Sequence, residues 1–212
     1  SVMATTSGVC PATITVTATD QCGNSRSVAY SGLCIGMASE VVIAPEASNL
    51  NVDCDTWQDD IAGWLANHGG ASAPGADIVW TYSPVDPATA LQMSMANCTT
   101  HTKSVVVTFR ATNGCGNFDE TTATFSLTDL VPPTANAIPN ASFSCIADTT
   151  APNVNLVTGE ADNCGGTPVV ALFANSKMGT GCPGNPLIIA RTYSVTDAFC
   201  NTTYITHTIT VV

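Results

Sequence analysis

The chain has 212 residues, enough for one large domain or two ordinary ones. Only 10% of the residues are charged, and 16 acidic against 5 basic side chains give a formal net charge of −11. Nucleic-acid binding depends on clustered Lys and Arg, so this composition argues against a nucleic-acid partner. No apolar run approaches the roughly 20 residues of a membrane-spanning helix, so no membrane span is expected.

Ten cysteines occur without a Cys-x-x-Cys pair, which argues against a zinc ribbon or a thioredoxin-type site. Such cysteine usage is typical of disulfides in an oxidising compartment, and we expect a secreted protein, extracellular or on the cell surface. The sequence does not open on a charged and then apolar secretion signal. We therefore expect an export signal to have been removed or to lie upstream.

A seven-residue phrase occurs three times and divides the chain. Its copies begin at Ala18, Ala111 and Val195 and are ATDQCGN, ATNGCGN and VTDAFCN. Asp, Asn and Gly in this arrangement predict hairpin turns. Alternating patterns predict the flanking strands at residues 13–17 and 27–30, 105–109 and 122–127, and 188–193 and 204–211. Because a single hairpin cannot bury its own apolar face, the repetition indicates stacked or tandem domains.

The phrase sets the expected domain limits. We predict a partial repeat at residues 1–35, a complete unit at 36–129 and a second complete unit at 130–212. The second limit follows the end of a predicted strand, where Pro132 and Pro133 cannot donate to a sheet. The partial repeat is a hairpin and a candidate donor segment for another subunit.

One segment, at about residues 56–68, has the spacing of a helix. Its apolar positions fall on one face, a capping residue precedes it and Gly69 can end it. The helical face consists of Trp57, Ile61, Trp64, Leu65 and His68. The two tryptophans fit either a packed core or a sugar-stacking platform, and the amphipathic pattern favours the core.

Several motifs, taken together, resemble a known family. From residue 131 onward they are VPPTAN at 131, SCIAD at 144, VTGEADNC at 157, TGCP at 180 and RTYSVTD at 191. The middle range adds NVDC at 51, WLANHGGA at 64 and VWT at 79, and the first range adds CPATITVT at 10. This series resembles the hyalin-repeat-related, immunoglobulin-like repeats of large secreted surface proteins and adhesins in Bacteroidota.

The resemblance implies an all-β protein of tandem immunoglobulin-like β-sandwich domains, disulfide-bonded, with the one short helix in the middle domain. It implies no catalytic residues, so no enzyme is expected. On the sandwich topology that it implies, we expect three disulfides, which are Cys145–Cys182, Cys164–Cys200 and, by analogy, Cys54–Cys98.

The partial repeat has its own cysteine pattern. Cys10 and Cys34 lie equally far on either side of Cys22 at the hairpin tip, which predicts a cross-strand Cys10–Cys34 bridge. Cys22 and Cys115 are then left over. They are free, pair with each other or link separate chains.

Calcium is the one cofactor that the loops suggest. Asp20, Asp162 and Asp197 each stand near an Asn and have the oxygen ligands that calcium prefers. The same residues close turns on their own backbone, and this second interpretation is favoured. We therefore expect no cofactor, with calcium as the weak alternative.

Four residues are candidates for glycosylation. Asn97, Asn140 and Asn201 open Asn-x-Ser/Thr sequons, which matter only in a host that modifies them. Thr149 lies in Asp-Thr-Thr, which looks like a short O-glycosylation signal of the same bacterial group.

Two functions are compatible with these features. The first is a non-enzymatic subunit of an extracellular fibre or surface appendage, in which the hairpin complements a neighbouring copy and a head-to-tail polymer results. The alternative is an internal fragment of a tandem-repeat adhesin that binds glycan or cell surfaces through Trp80, Tyr82 and Phe118. An accessory module of a hydrolase has no supporting feature in the sequence.

Overall fold

The computed structural model describes residues 1–7, 12–33, 40–75, 77–144, 146, 149–181 and 184–212. These residues form three sheets and two α-helices. The strands are β1 Val2–Ser7, β2 Ala12–Thr19, β3 Ser25–Leu33, β4 Leu50–Asp53, β5 Val79–Ser83, β6 Thr102–Thr112, β7 Phe118–Thr128, β8 Ala141–Phe143, β9 Val169–Met178, β10 Leu187–Thr196 and β11 Thr202–Val211. The helices are α1 Trp57–Ala66 and α2 Pro87–Met93, and short 3-10 turns occupy His68–Gly70 and Val154–Leu156.

The three sheets repeat one arrangement. Their strand orders are β1-β2-β3, β5-β6-β7-β4 and β9-β10-β11-β8. Each contains a hairpin, β2-β3, β6-β7 or β10-β11, and a third strand beside the first strand of that hairpin. The two larger sheets add a short fourth strand beside the last strand of the hairpin, and β8 runs parallel to β11 there.

The repeated phrase forms the same turn in all three hairpins, as its Asp and Asn residues predict. Asp197 Oδ1 accepts from the backbone nitrogens of Phe199 and Asn201 at 2.7 and 2.9 Å. Asp20 accepts in the same way from residues 22 and 24 at 2.8 and 2.9 Å. Asn113 does so from residues 115 and 117 at 3.0 and 3.1 Å. These side chains replace the ladder bonds that the chain loses where it reverses.

The chain divides into two compact units. The first consists of Ser1–Leu50, Ile61–Ala90 and Val105–Phe125. The second consists of Asn51–Asp60, Leu91–Ser104 and Ser126–Val212. Each sheet lies within one of the predicted ranges 1–35, 36–129 and 130–212, while the compact units cut across the middle range. The predicted domain limits stay a prediction.

Helix α1 forms where the spacing predicts it, and its apolar side is core. Trp57, Ile61 and Trp64 are buried. In the first unit the Trp64 ring packs edge-on against Phe109 with centroids 5.1 Å apart, and its Nε1 donates to Ser48 O over 3.0 Å. The indole therefore buries its apolar body and satisfies its polar atom. The core interpretation of the two tryptophans is confirmed.

The core of the second unit lies against the inner face of the β9-β10-β11-β8 sheet. Alternate residues of β10 point inward and are buried, in step with the period of two that a strand imposes. Tyr193 and Val195 pack there against Ile138 and Val157. The opposing layer is extended chain with an antiparallel bridge between Thr134 and Ala161. This layering and the repeated sheet order confirm the predicted all-β class of tandem, immunoglobulin-like β-sandwiches with disulfides.

A second helix is a correction to the prediction of one helix. Asp86 precedes α2, and its Oδ1 accepts from the backbone nitrogen of Thr89 over 3.0 Å. Pro87 occupies the first helical position, where its missing N–H costs nothing. The Asp-Pro pair was therefore a helix-start signal in the sequence, and the shortness of the helix concealed it.

The disulfide partners also differ from prediction. The structure joins Cys54 to Cys164 and Cys98 to Cys200, with Cα atoms 5.0 and 5.3 Å apart. The predicted pairs Cys54–Cys98 and Cys164–Cys200 are wrong. The prediction assumed that each complete repeat closes its own bridges, whereas each observed bridge joins a cysteine of the range 36–129 to one of the range 130–212.

The other cysteine predictions have different outcomes. The predicted bridges Cys10–Cys34 and Cys145–Cys182 lie outside the described residues. Cys22 is a free, exposed thiol at its hairpin tip, in agreement with one of the three alternatives. Cys115 is disulfide-bonded, so its classification as an unpaired or intermolecular thiol is corrected.

Candidate functional site

The sheet β1-β2-β3 has one apolar and one polar face. Strand β2 alternates small or branched apolar residues with threonine along its whole length. The register places Val28 and Tyr30 of β3 opposite Val16 and Ile14 of β2, on one face of the sheet. The apolar residues of this face are Val2, Ala4, Ile14, Val16, Ala18, Val28 and Tyr30, and Arg26 opposite Ala18 and Thr6 opposite Ile14 complete the face. The other face has Ser and Thr, including a hydroxyl pair between Thr17 and Ser27 at 2.7 Å.

The β3 side of this apolar face is open to solvent, while Ile14 and Val16 of β2 are partly buried. Val28 is 48% exposed and Tyr30 57%. Counting from the shared turn phrase, their counterparts in the middle sheet are Thr121 and Ala123, which are 6% and 3% exposed. The inner face of the equivalent sheet is therefore buried in the middle range and uncovered in the first. Uncovered, contiguous apolar surface of this kind marks an interaction site.

The edge beside β3 is also vacant among the described residues. In the middle sheet β4 occupies this place beside β7, and in the last sheet β8 occupies it beside β11. The three-stranded sheet has no such neighbour in the described ranges. An edge strand presents unpaired N–H and C=O groups, which are a template for another strand.

A second open edge lies on the last sheet. Strand β9 is ten residues long and forms the end of its sheet, so its outer backbone groups have no strand partner in the described part of the chain. Val169, Phe173 and Met178 on this strand are exposed. A long, apolar edge strand with one Lys as its only charged residue is little protected against pairing with another chain.

Three carboxylates meet in the second unit. Asp129 follows β7, Asp162 lies in the loop that leads to β9, and Asp197 opens the β10-β11 turn. One ligand oxygen from each lies within 4.8 Å of the others. We call these three residues the carboxylate cluster.

Two oxygens of the carboxylate cluster have no hydrogen-bond partner. Asp129 is 2% exposed, and its Oδ1 accepts from Val131 N over 3.0 Å while its Oδ2 accepts nothing. Asp162 Oδ2 accepts from Cys164 N over 3.0 Å, and its buried Oδ1 also accepts nothing. Among the described residues, no Lys or Arg lies within 4.0 Å of any of the three carboxylates.

Burial raises the pKa of Asp129 above its ordinary value, and the charge of Asp197 adds to the increase. Burial likewise raises the pKa of Asp162, with further contributions from Asp129 and Asp197. Each carboxylate thus disfavours ionisation of its neighbours. Such a cluster favours the binding of a proton or of a metal cation.

The sequence found two members of this cluster and missed the third. Asp162 and Asp197 were calcium candidates, and the structure brings them together. Asp20, the third candidate, lies in an exposed turn where its oxygens accept from Cys22 and Asn24, and no described carboxylate joins it. Asp129 had no local signal, because it stands alone at a strand end.

The structure also bears on the glycosylation candidates. Asn201 is buried, and its amide nitrogen donates to Asp129 O and Asp197 Oδ2 at 2.9 and 2.8 Å. Both N–H groups of the side-chain amide therefore donate hydrogen bonds within the protein. The prediction of Asn201 as a glycosylation site is wrong. Asn97 and Asn140 are exposed, Thr149 is partly buried, and all three stay predictions.

Two of the three aromatic residues proposed for glycan binding share a groove. Trp80 and Tyr82 of β5 line a shallow depression in the first unit together with Leu65 and His68. The His68 ring stacks on Trp80 with centroids 4.4 Å apart, and burial lowers the pKa of this imidazole. Phe118 lies elsewhere, beneath the Arg110 guanidinium.

Comparisons with known proteins give no family assignment. No family model matches the chain. No curated protein matches it either. Neither described helix has the length and apolar content to cross a bilayer.

Solved structures that match the chain include cadherin ectodomains. PcdhgB3 EC1-4 matches at 10% identity and a TM-score of 0.33, over 95% of this chain and 56% of that one. Drosophila N-cadherin EC1-4 matches at 11% identity and a TM-score of 0.32, over 100% of this chain and 58% of that one. The Protocadherin GammaB4 extracellular domain matches at 10% identity and a TM-score of 0.30, over 100% and 45%. The chain spans about half the length of these proteins, and TM-scores of this size carry no argument about function.

Proposed function

We propose that this chain is a non-enzymatic structural subunit of an extracellular fibre or surface appendage. Its subunits join when a second copy covers the open sheet β1-β2-β3 by strand or hairpin complementation. The observation that carries the proposal is the exposed apolar face with Val28 and Tyr30, whose counterparts in the middle sheet are buried.

Covering the open face removes apolar area from water. Covering an apolar residue such as Val or Tyr is worth roughly 1.5–3 kcal/mol relative to leaving it in water. The open face has seven small or large apolar residues over three strands, and the vacant edge beside β3 adds main-chain hydrogen bonds. A partner that fills both therefore gains area and hydrogen bonds at one place.

The same chain has a second apolar surface, on β9, with a strand edge that is unpaired among the described residues. Strand β9 is an exposed apolar edge, and the open sheet is a different surface. A contact between two different surfaces of identical subunits is heterologous, and it continues into a filament unless the rotation closes a ring. We therefore propose the β9 edge as the receiving side of a head-to-tail polymer.

The extracellular location rests on the disulfides. Cys54–Cys164 and Cys98–Cys200 persist in an oxidising environment and not in a reducing cytosol. The hyalin-repeat-related resemblance, with its surface-protein setting, points the same way.

The assembly proposal is tested by light scattering and negative-stain electron microscopy over a concentration series. We expect the parent chain to form regular polymers. Tyr30→Glu places an unpaired charge into the contact and should weaken association at least about tenfold. Ala29→Glu is the matched control, because the adjacent residue lies on the polar face and is exposed. A parent chain that stays monomeric, or equal loss in both variants, refutes the proposal.

The alternative function is a glycan-binding repeat of a larger adhesin, supported by the groove with Trp80 and Tyr82. Aromatic faces beside a groove are suited to sugar rings, although His68 already covers one face of Trp80. A glycan array would detect sugar binding by this groove. Binding that Tyr82→Ala abolishes and Phe118→Ala retains would favour this alternative over the fibre.

A further inference from the structure

The carboxylate cluster has no Lys or Arg within 4.0 Å among the described residues to balance its charge. Asp129 is almost fully buried, yet its Oδ2 accepts no hydrogen bond and no basic side chain approaches it. Burying an unpaired carboxylate costs several kcal/mol, and natural proteins normally offset this with a hydrogen bond, an opposite charge or a metal. The open Asp162 Oδ1 lies buried in the same cluster.

We propose that Asp129, Asp162 and Asp197 together bind one calcium ion. This site is independent of the fibre proposal and joins three parts of the second unit, the end of β7, the loop before β9 and the β10-β11 turn. Carboxylate oxygens are the ligands that hard divalent cations prefer.

The coordination chemistry of the two ions favours calcium over magnesium. Calcium takes carboxylate oxygens at about 2.3–2.6 Å in flexible geometry, and one oxygen from each of the three carboxylates lies within 4.8 Å of the others. Magnesium demands near-ideal octahedral geometry at about 2.0–2.1 Å and usually keeps several waters.

The surroundings hold the ligands in place. Asp197 is fixed by the hydrogen bonds of its turn, and Asn201 ties that turn to Asp129 O over 2.9 Å. The disulfides Cys54–Cys164 and Cys98–Cys200 anchor the loop beside Asp162 and the same turn. Little ordering therefore remains to oppose binding, and the chain's net charge of −11 attracts cations from a distance.

The test is isothermal titration of the EGTA-stripped chain with CaCl2, with thermal unfolding in parallel. We expect one strong site per chain and a raised unfolding temperature. Asp197→Asn keeps the turn, because Asn113 forms the same two hydrogen bonds at the equivalent position. This variant should keep the parent's circular dichroism and lose affinity at least about tenfold, as should Asp129→Asn.

Asp20→Asn is the matched control, since Asp20 has the same turn geometry outside the cluster. Its affinity should equal that of the parent. No heat and no thermal shift up to about 10 mM calcium would overturn the site. Binding that Asp197→Asn and Asp129→Asn retain unchanged would show non-specific attraction to the acidic surface and overturn it as well. Equal affinity for MgCl2 would overturn the assignment to calcium.

Discussion

The side-chain amide of Asn201 donates a buried hydrogen bond, 2.9 Å long, to the backbone oxygen of Asp129. A second bond from the same amide reaches Asp197 Oδ2 over 2.8 Å. The last residue of the repeated phrase therefore does more in its third copy than close a turn. It fastens that turn to the chain at the end of β7.

This hydrogen bond predicts that Asn201→Ala strongly lowers the stability of the folded protein. The truncation leaves Asp129 O buried without its donor and removes a bond within the turn, so the free energy of unfolding should fall by about 2–3 kcal/mol. Chemical denaturation of purified protein measures it. Asn24→Ala is the control, because Asn24 is exposed and its side-chain amide donates to Asp20 Oδ2 within the same turn. Equal losses in the two variants would contradict the anchoring role.

The disulfides predict a specific peptide map. Digestion without reduction should yield cross-linked peptides that join Cys54 to Cys164 and Cys98 to Cys200. Peptides that join Cys54 to Cys98 would contradict the structure. Each observed bridge closes a loop of about 100 residues, so replacing Cys98 and Cys200 together by Ser should cost about 3–5 kcal/mol. Cys22→Ser should have no measurable effect, because this thiol is free and exposed.

The carboxylate cluster predicts an unusual pH dependence for the cation-free protein. Burial raises the folded-state pKa of Asp129 and Asp162 above the ordinary 3.8, so the folded chain binds more protons than the unfolded chain above that value. Their contribution to stability is therefore fully present below about pH 3.8 and is lost as pH rises through the raised pKa values.

A comparison with the double variant Asp129→Asn, Asp162→Asn isolates this contribution. The difference in unfolding free energy between parent and variant should change between about pH 4 and pH 7, with the parent losing stability relative to the variant as pH rises. Urea titrations in EGTA at several pH values measure it. A difference that does not vary with pH would contradict ionisation-linked strain in the cluster.

Local chemistry made part of the fold predictable. The Thr-alternating pattern of β2 and the Asp or Asn of each phrase specify strands and turns within a few residues, without help from distant contacts. Trp57, Ile61 and Trp64 marked α1 for the same reason. The Asp86-Pro87 pair also marked α2, but seven residues gave too little periodicity to recognise.

Non-local relationships were the part that the sequence did not reveal. Cys54 and Cys98 pair with Cys164 and Cys200, more than 100 residues away in the chain, and no local spacing encodes that pairing. Asp129 joins Asp162 and Asp197 in the same way, across long separations. The solvent exposure of Val28 and Tyr30 depends on whether another layer packs on their sheet. The alternating pattern of a strand predicts which residues share a face, but not whether that face is covered.

The most direct measurement is electron microscopy of the purified chain at a resolution that traces strands. We expect a regular polymer in which another subunit covers Val28 and Tyr30 and pairs with the vacant edge of β3. A chain that remains monomeric at every concentration, with this face still exposed to water, would contradict it.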